Sequence, residues 1–288
     1  MMRPDTRNRG VLEEAKARSV YRALRVLPPD DLANHVDYFW LVRWSLAEPY
    51  EQHVLALPAA HFVFERNDVT RRCESRFAGP GRSRFTRVLE GKGHILGIAF
   101  HPGTAFPWVN CPLAPLADRL VELHTVWPHE VRGAERAILS RRCDADAVDR
   151  AANYLRRWLP PLDEPSKLSR QLVNRIATDR ALCRVEQLVT QCGLSERALQ
   201  RLFHRYVGVT PKAVIRRFRL VEAAETLVKR ARLNLTDLAQ SLGYFDQSHF
   251  IRDFRSTVGR APSEYRRRAF RGAYTSVNAV APERETSA

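Results

Sequence analysis

The sequence predicts a multidomain α+β protein. A β-rich mixed half, a small sandwich or barrel with added helices, precedes an all-α half with two helix-turn-helix motifs joined by a long helix. Three observations carry this. Strand-like runs give way to helical periodicity at Leu159-Pro-Pro-Leu-Asp-Glu-Pro165, which holds three prolines in seven residues. Beyond it, residues 188–211 recur as residues 238–262. Charge is also segregated: residues 1–166 carry 24 Lys+Arg against 21 Asp+Glu, and residues 167–272 carry 22 against 9. The expected domains are 1–160 (regulatory, sensing or dimerising), a linker at 161–166, a basic helical domain at 167–272 and a flexible tail at 273–288.

The first half opens with residues 11–27, which read as a short helix stopped by Pro28-Pro29. Runs rich in β-branched and aromatic residues follow at 36–44, 53–57, 61–65 and 94–100, separated by turn signals such as Gly79-Pro-Gly81 and Gly91-Lys-Gly93. Helices are expected near 113–126 and 145–158; in the second, Ala147, Ala151, Tyr154, Leu155 and Trp158 recur at helical spacing. The longest uncharged stretch, between Lys92 and Asp118, contains four prolines and is read as strand then loop, so no membrane association is expected.

The remaining composition narrows the function classes. A chain of 288 residues that is 44% hydrophobic is too apolar for disorder and long enough to bury a core. Five cysteines without a CxxC pair signal neither a disulfide framework nor a zinc finger. With no apolar export segment at the start, the expected location is the cytoplasm, on the nucleoid. No cofactor motif and no GxSxG nucleophile motif appears, so no enzyme is expected. The alternative is a metal-dependent β-barrel enzyme or sensor fused to a DNA-binding module. It would draw on His53, His61, His94, His101 and Glu65, which lack HxH or HExxH spacing.

Each repeat reads as helix, tight turn, helix. In the first copy a short helix ends near Gly193, and Ser195 caps the next. There Ala198, Leu199, Leu202 and Phe203 form the apolar stripe. Arg197, Gln200, Arg201 and His204 share another face, at i, i+3, i+4 and i+7. Arg and Gln are the side chains suited to bidentate contacts with guanine and adenine. A basic excess confined to this module points to a polyanion, and double-stranded DNA is the partner expected. In the second copy Asp246 is the N-cap, Phe250 and Phe254 are the buried pair, and Ser248, Ile251, Arg252 and Arg255 make the equivalent face. The offset between copies is 50 before the turn and 51 after it, so the second turn is one residue longer.

Thr210 and Pro211 open the connecting helix, with a stripe of Val214, Phe218, Val221, Ala224 and Val228. About 21 residues at about 1.5 Å each span about 31 Å. That is close to the roughly 34 Å between major-groove faces one turn apart. His204, Arg205, Lys212 and Arg255 are the residues expected on the DNA backbone.

Residues 167–268 resemble the DNA-binding module of the AraC/XylS family of bacterial transcription regulators, most clearly through LTDLAQSLGYFDQSHFIRDFRSTVGRAPSEYRR, residues 235–267. The resemblance implies that Arg197, Gln200 and Arg201 read bases in the first motif. It places Gln247, Ser248, Ile251 and Arg252 at the DNA face of the second, where Ile251 leaves fewer polar readers. It also implies promoter DNA and RNA polymerase as partners, with a small-molecule effector and a homodimer as further options. The run from HVDYFWLVRW to GIAFHPGTAF, residues 35–106, is similar to an N-terminal region of unassigned role in some family members.

Overall fold

The computed structural model describes residues 20–55, 57–82, 84–140, 143–229 and 233–268. By packing, the chain divides into one compact unit up to Phe218 and a second from Arg219. Among the described residues no helix is long and apolar enough to cross a membrane.

The first unit begins with strands β1 (Tyr21–Val26), β2 (Val36–Ser45), β3 (Tyr50–Leu55), β4 (His61–Asn67), β5 (Cys73–Ala78), β6 (Arg84–Leu89) and β7 (Lys92–Phe100). With a later strand, β8 (Leu120–Glu122), six of them form an antiparallel sheet in the order β1-β2-β7-β4-β5-β8, while β3 and β6 pair separately. Side chains alternate faces along each strand. Phe39, Phe62, Phe64, Phe77, Ile98 and Phe100 point to one face and are fully buried beneath the helices that follow, against Trp108, Trp127, Ile138 and Leu155. The other face carries Trp40, Val42, Trp44, Val63 and Ile95, which cluster with Leu89 of β6. On that face Gly97 leaves the space that Trp40 occupies, since a Cβ there would lie 1.9 Å from the indole.

The helices are α1 (Phe106–Val109), α2 (Leu123–Val126), α3 (Arg132–Leu139), α4 (Asp144–Arg157), α5 (Glu164–Thr178), α6 (Val185–Cys192), α7 (Glu196–Leu202) and α8 (Pro211–Lys229). A wide π turn, Phe203–Val207, continues α7. In the second unit α9 (Leu235–Ser241) and α10 (Gln247–Val258) precede a helix at 262–268, α11.

Several expectations need correction. Residues 21–26 are not helical but form β1, paired along its whole length with β2 from Tyr21↔Trp44 to Val26↔Phe39. Pairing with an apolar neighbour outweighs helix propensity there; residues 11–19 lie outside the described residues. Residues 113–126 are not one helix. Pro112 and Pro115 interrupt it, Asp118 adopts a left-handed φ of 58°, and the segment becomes a 3-10 turn at Ala114–Leu116, then β8, then α2. The strand expected at 53–57 starts earlier, at Tyr50, and ends at Leu55; residue 56 lies outside the described residues and Leu57 is not in a strand. Pro165 belongs to the first turn of α5, whose N-cap is Asp163, so the helix starts inside the proline segment. Strands β5, β6 and β8 and helices α1, α3 and α5 were not anticipated as separate elements.

Candidate nucleic-acid interface

The first helix-turn-helix is built by local chemistry. Gly193 ends α6 in the left-handed conformation, φ 69°, and Ser195 starts α7 by accepting the Ala198 N–H at 3.2 Å. Leu199 and Phe203 are fully buried with Leu188, Val207, Val214 and Ile215, which fixes the roll of α7. That roll leaves Arg197, Gln200 and Arg201 exposed on one side. Gln200 is held by its Nε2 donating to Glu196 at 3.0 Å. Among the described residues no acid is paired with Arg197 or Arg201.

The rest of the expected backbone set is less uniform. His204 is exposed but sits in the π turn rather than on the regular helix, which displaces it relative to the i+7 position. Lys212 is exposed at the start of α8. Arg205 is drawn toward the β-rich region: its guanidinium lies 4.7 Å over the Phe106 ring, and its carbonyl accepts the Leu113 N–H at 3.0 Å.

The same junction has further contacts. The Phe106 and Tyr206 rings are 4.5 Å apart, and the Tyr206 hydroxyl donates to Asp163 Oδ2 at 2.9 Å. Arg170 Nη1 donates to the carbonyl and side chain of Asn34, both at 3.0 Å. Gly208 closes the π turn at φ 79° and lies so near Leu113 that a Cβ would meet its carbonyl oxygen at 2.9 Å. This junction, between residues distant in sequence, had no sequence signal.

The second helix-turn-helix repeats the construction. Asp246 caps α10 by accepting the His249 N–H at 2.7 Å, and Phe250 and Phe254 are fully buried. Ser248, Arg252 and Arg255 are exposed and Ile251 is half-buried. Gln247 is only partly exposed, and its Oε1 accepts a hydrogen bond from Thr236 of α9 at 2.8 Å, so it ties the two helices of the motif together. The longer second turn brings out Phe245, which is 94% exposed. Along α8, Val214 and Ala224 of the expected stripe are buried, Val228 is exposed, and Leu220, Ala223 and Leu227 are buried in addition.

Among the described residues no three His, Cys, Asp or Glu side chains come together as a metal site. The histidines considered for one are engaged separately. His61 Nδ1 accepts the Trp40 indole N–H at 3.2 Å, His53 meets Thr86, His94 meets the Leu139 carbonyl and His101 the Ala33 carbonyl. Burial holds His61 down to about 4, in the neutral form that can accept from Trp40.

A cavity of about 380 Å³ lies between the six-stranded sheet and the β3–β6 pair. Its walls include Tyr21, Trp40, Val42, Val54, Val63 and Phe85. The charged residues there are largely paired, Glu65 with Arg87 and Glu74 with Arg76.

A helix-turn-helix domain family model matches residues 188–268, and a model described as a domain of unknown function (DUF6597) matches residues 24–122. The chain is 34% identical over 83 residues to the transcriptional activator RhaS of Pectobacterium atrosepticum, covering 29% of each chain. It is 31% identical over 112 residues to the transcriptional regulator AlkR of Acinetobacter baylyi, covering 39% of this chain and 36% of that one. Across such curated relatives the chain spans between 29% and 38% of their length. A solved structure of a probable AraC family transcriptional regulator from Rhodopseudomonas palustris is 33% identical, with 35% of this chain and 94% of that one covered and a TM-score of 0.32. The duplicated region, residues 188–268, is thus a helix-turn-helix domain similar in sequence to those of AraC/XylS-type regulators.

Proposed function

We propose that the protein is a sequence-specific DNA-binding transcription factor that reads two successive major-groove segments with its two helix-turn-helix motifs. The observation that carries this is the face of α7. Arg197, Gln200 and Arg201 are exposed together on a helix whose cap and buried side hold it rigidly. Such a face can donate bidentate hydrogen bonds to base edges. The second motif contributes Ser248, Ile251 and Arg252, while Lys212, His204 and Arg255 neutralise phosphates. Residues 1–160 act as the regulatory part and 167–272 as the reading part. Promoter DNA in the cytoplasm and RNA polymerase are the partners of such a factor, and a homodimer fits the same reading.

Selection of bound fragments from random duplexes with the purified chain tests this. The expected result is a motif in two parts spaced by about one helical turn, roughly 10 bp. Uniform recovery of all sequences overturns it. A second reading, that a small apolar effector controls the factor, is favoured by the cavity walled by Trp40, Val42, Val54 and Val63. Its size is that of an ordinary small-molecule site.

A further inference from the structure

One end of the cavity is walled by two backbone segments, Gly79 and Gly81 from the loop after β5, and Asp118, Arg119 and Leu120 at the entry to β8. The segments are zipped together: Gly79 N–H donates to the Arg119 carbonyl at 2.9 Å, Asp118 N–H to the Pro80 carbonyl at 3.1 Å, and Arg82 N–H to Asp118 Oδ1 at 2.7 Å. Arg82 therefore sits one residue beyond the cavity wall, anchored to it by its own backbone.

Its side chain reaches the other way. Arg82 Nη2 donates to the Ala114 carbonyl at 3.0 Å and, at 3.4 Å, to the carbonyl of Gly208, the residue that ends the first reader. The Arg82 carbonyl in turn accepts from Arg217 Nη2 of α8. Arg217 is 5% exposed, and burial lowers its guanidinium to about 10. Leaving a charge in that position is costly unless it is hydrogen-bonded, and the Arg82 carbonyl supplies that bond. Neither arginine lies on the reading face. Arg82 holds Gly208, at the start of the turn that carries the chain from reader to α8, and Arg217 ties α8 itself to the Arg82 carbonyl.

We infer that Arg82 and Arg217 are positioning residues for the first reader, and that the loop they share with the cavity wall couples cavity occupancy to DNA reading. This rests on the DNA-reading and effector roles proposed above. Filling the cavity moves the 79–82 backbone, which carries the Arg82 side chain bonded to the reader's terminal turn and offers the carbonyl that Arg217 of α8 holds. A conformational difference of this kind links two sites by the free energy it costs, in both directions.

The test uses the full chain and the duplex selected by it. Val54→Trp fills the cavity from β3 without any ligand. The expected result is that Val54→Trp changes affinity for that duplex by on the order of 5-fold or more in the wild-type background and by much less in Arg82→Ala or Arg217→Met. The single variants Arg82→Ala and Arg217→Met should relax base preference in the half of the site that Arg201→Ala relaxes, leaving the half relaxed by Arg252→Ala unchanged. Arg217→Lys, which keeps a donor, should restore part of that preference. An effect of Val54→Trp that is the same in all backgrounds overturns the coupling, and unaltered preference in Arg82→Ala overturns the positioning role. Arg82→Ala removes an exposed side chain and so remains decisive even where Arg217→Met fails to fold. A wild-type chain that selects no motif overturns the DNA-reading role itself, an outcome distinct from additivity in a chain that does.

Discussion

The two helix-turn-helix copies share a scaffold and differ in what surrounds it. Both use an acceptor side chain at the cap, Ser195 or Asp246, and both seat a phenylalanine, Phe203 or Phe254, in full burial. Both end in a left-handed glycine, Gly208 at φ 79° and Gly259 at φ 87°. The first is then widened by a π turn and clasped by the β-rich region, whereas the second keeps regular helix to Val258 and gains a residue in its turn. The capping and buried positions are shared between the copies, whereas the exposed faces are not. The faces have diverged to Arg197, Gln200 and Arg201 in one copy, and to Ser248, Ile251 and Arg252 in the other.

If the scaffold is the shared part, Phe203→Ala and Phe254→Ala should be the most damaging changes, and about equally so. Each empties a fully buried ring site at about 3–5 kcal/mol, read from urea unfolding. A cost for one copy several-fold below the other would show that one core is not essential and would break the symmetry.

Acid should separate the two units. In the first, burial holds both His35 and His61 down to about 4, and each accepts an indole N–H, His35 from Trp108 at 3.0 Å and His61 from Trp40. An unfolded histidine titrates near 6.5, so between there and about 4 the unfolded chain binds more protons than the folded one. The stability these groups confer is complete above pH 6.5 and is lost as pH falls toward 4, on the order of 3 kcal/mol for each. From Arg219 onward the sole histidine is His249, whose side chain is about half exposed. Urea unfolding monitored by hydrogen exchange at pH 7 and pH 5 should show loss of protection in the β strands first; equal loss in α10 would contradict it.

The faces supply the next contrast. Arg201→Ala should cost about 1–3 kcal/mol of base discrimination in one half of the site. Arg255→Ala should instead weaken all sequences alike and lower the salt slope by about 1. Binding-site selection and salt titration on both variants distinguish the two, and an unchanged motif with Arg201→Ala would assign that residue to phosphate. The smallest effect is expected at the caps, where Ser195→Ala and Asp246→Ala should each cost about 1 kcal/mol of thermal stability. A larger loss for Asp246 would mean that the extra turn residue makes the second copy more dependent on its cap.

Much of this architecture was legible because it is local. Ser195 and Asp246 announce themselves as caps, Gly193 as a helix stop, and the Phe250/Phe254 spacing as a buried stripe. The family module is legible for the same reason. The β-rich region was harder. Strand β5 reads CESRFA, in which only Ser75 and Phe77 are buried, and its partners lie in β4 and β8. Polar edge residues carry little period-2 signal, and pairing partners far along the chain carry none. Arg217 was one of many basic residues until the fold set it against Arg82, 135 positions away. Gln247 was expected to face bases, and its bond to Thr236 depends on how α9 and α10 pack.

The flat seating of Trp40 over Gly97 has an evolutionary consequence. Neither position is free to vary by itself: any side chain at 97 evicts the indole, and any small residue at 40 uncovers bare backbone on the neighbouring strand. Relatives that keep this β-rich region should therefore exchange the two as a pair, large against none or small against small. A lone Gly97→Ala, adding a single methyl group, should redshift tryptophan emission as the ring is pushed off the sheet into the space beside it.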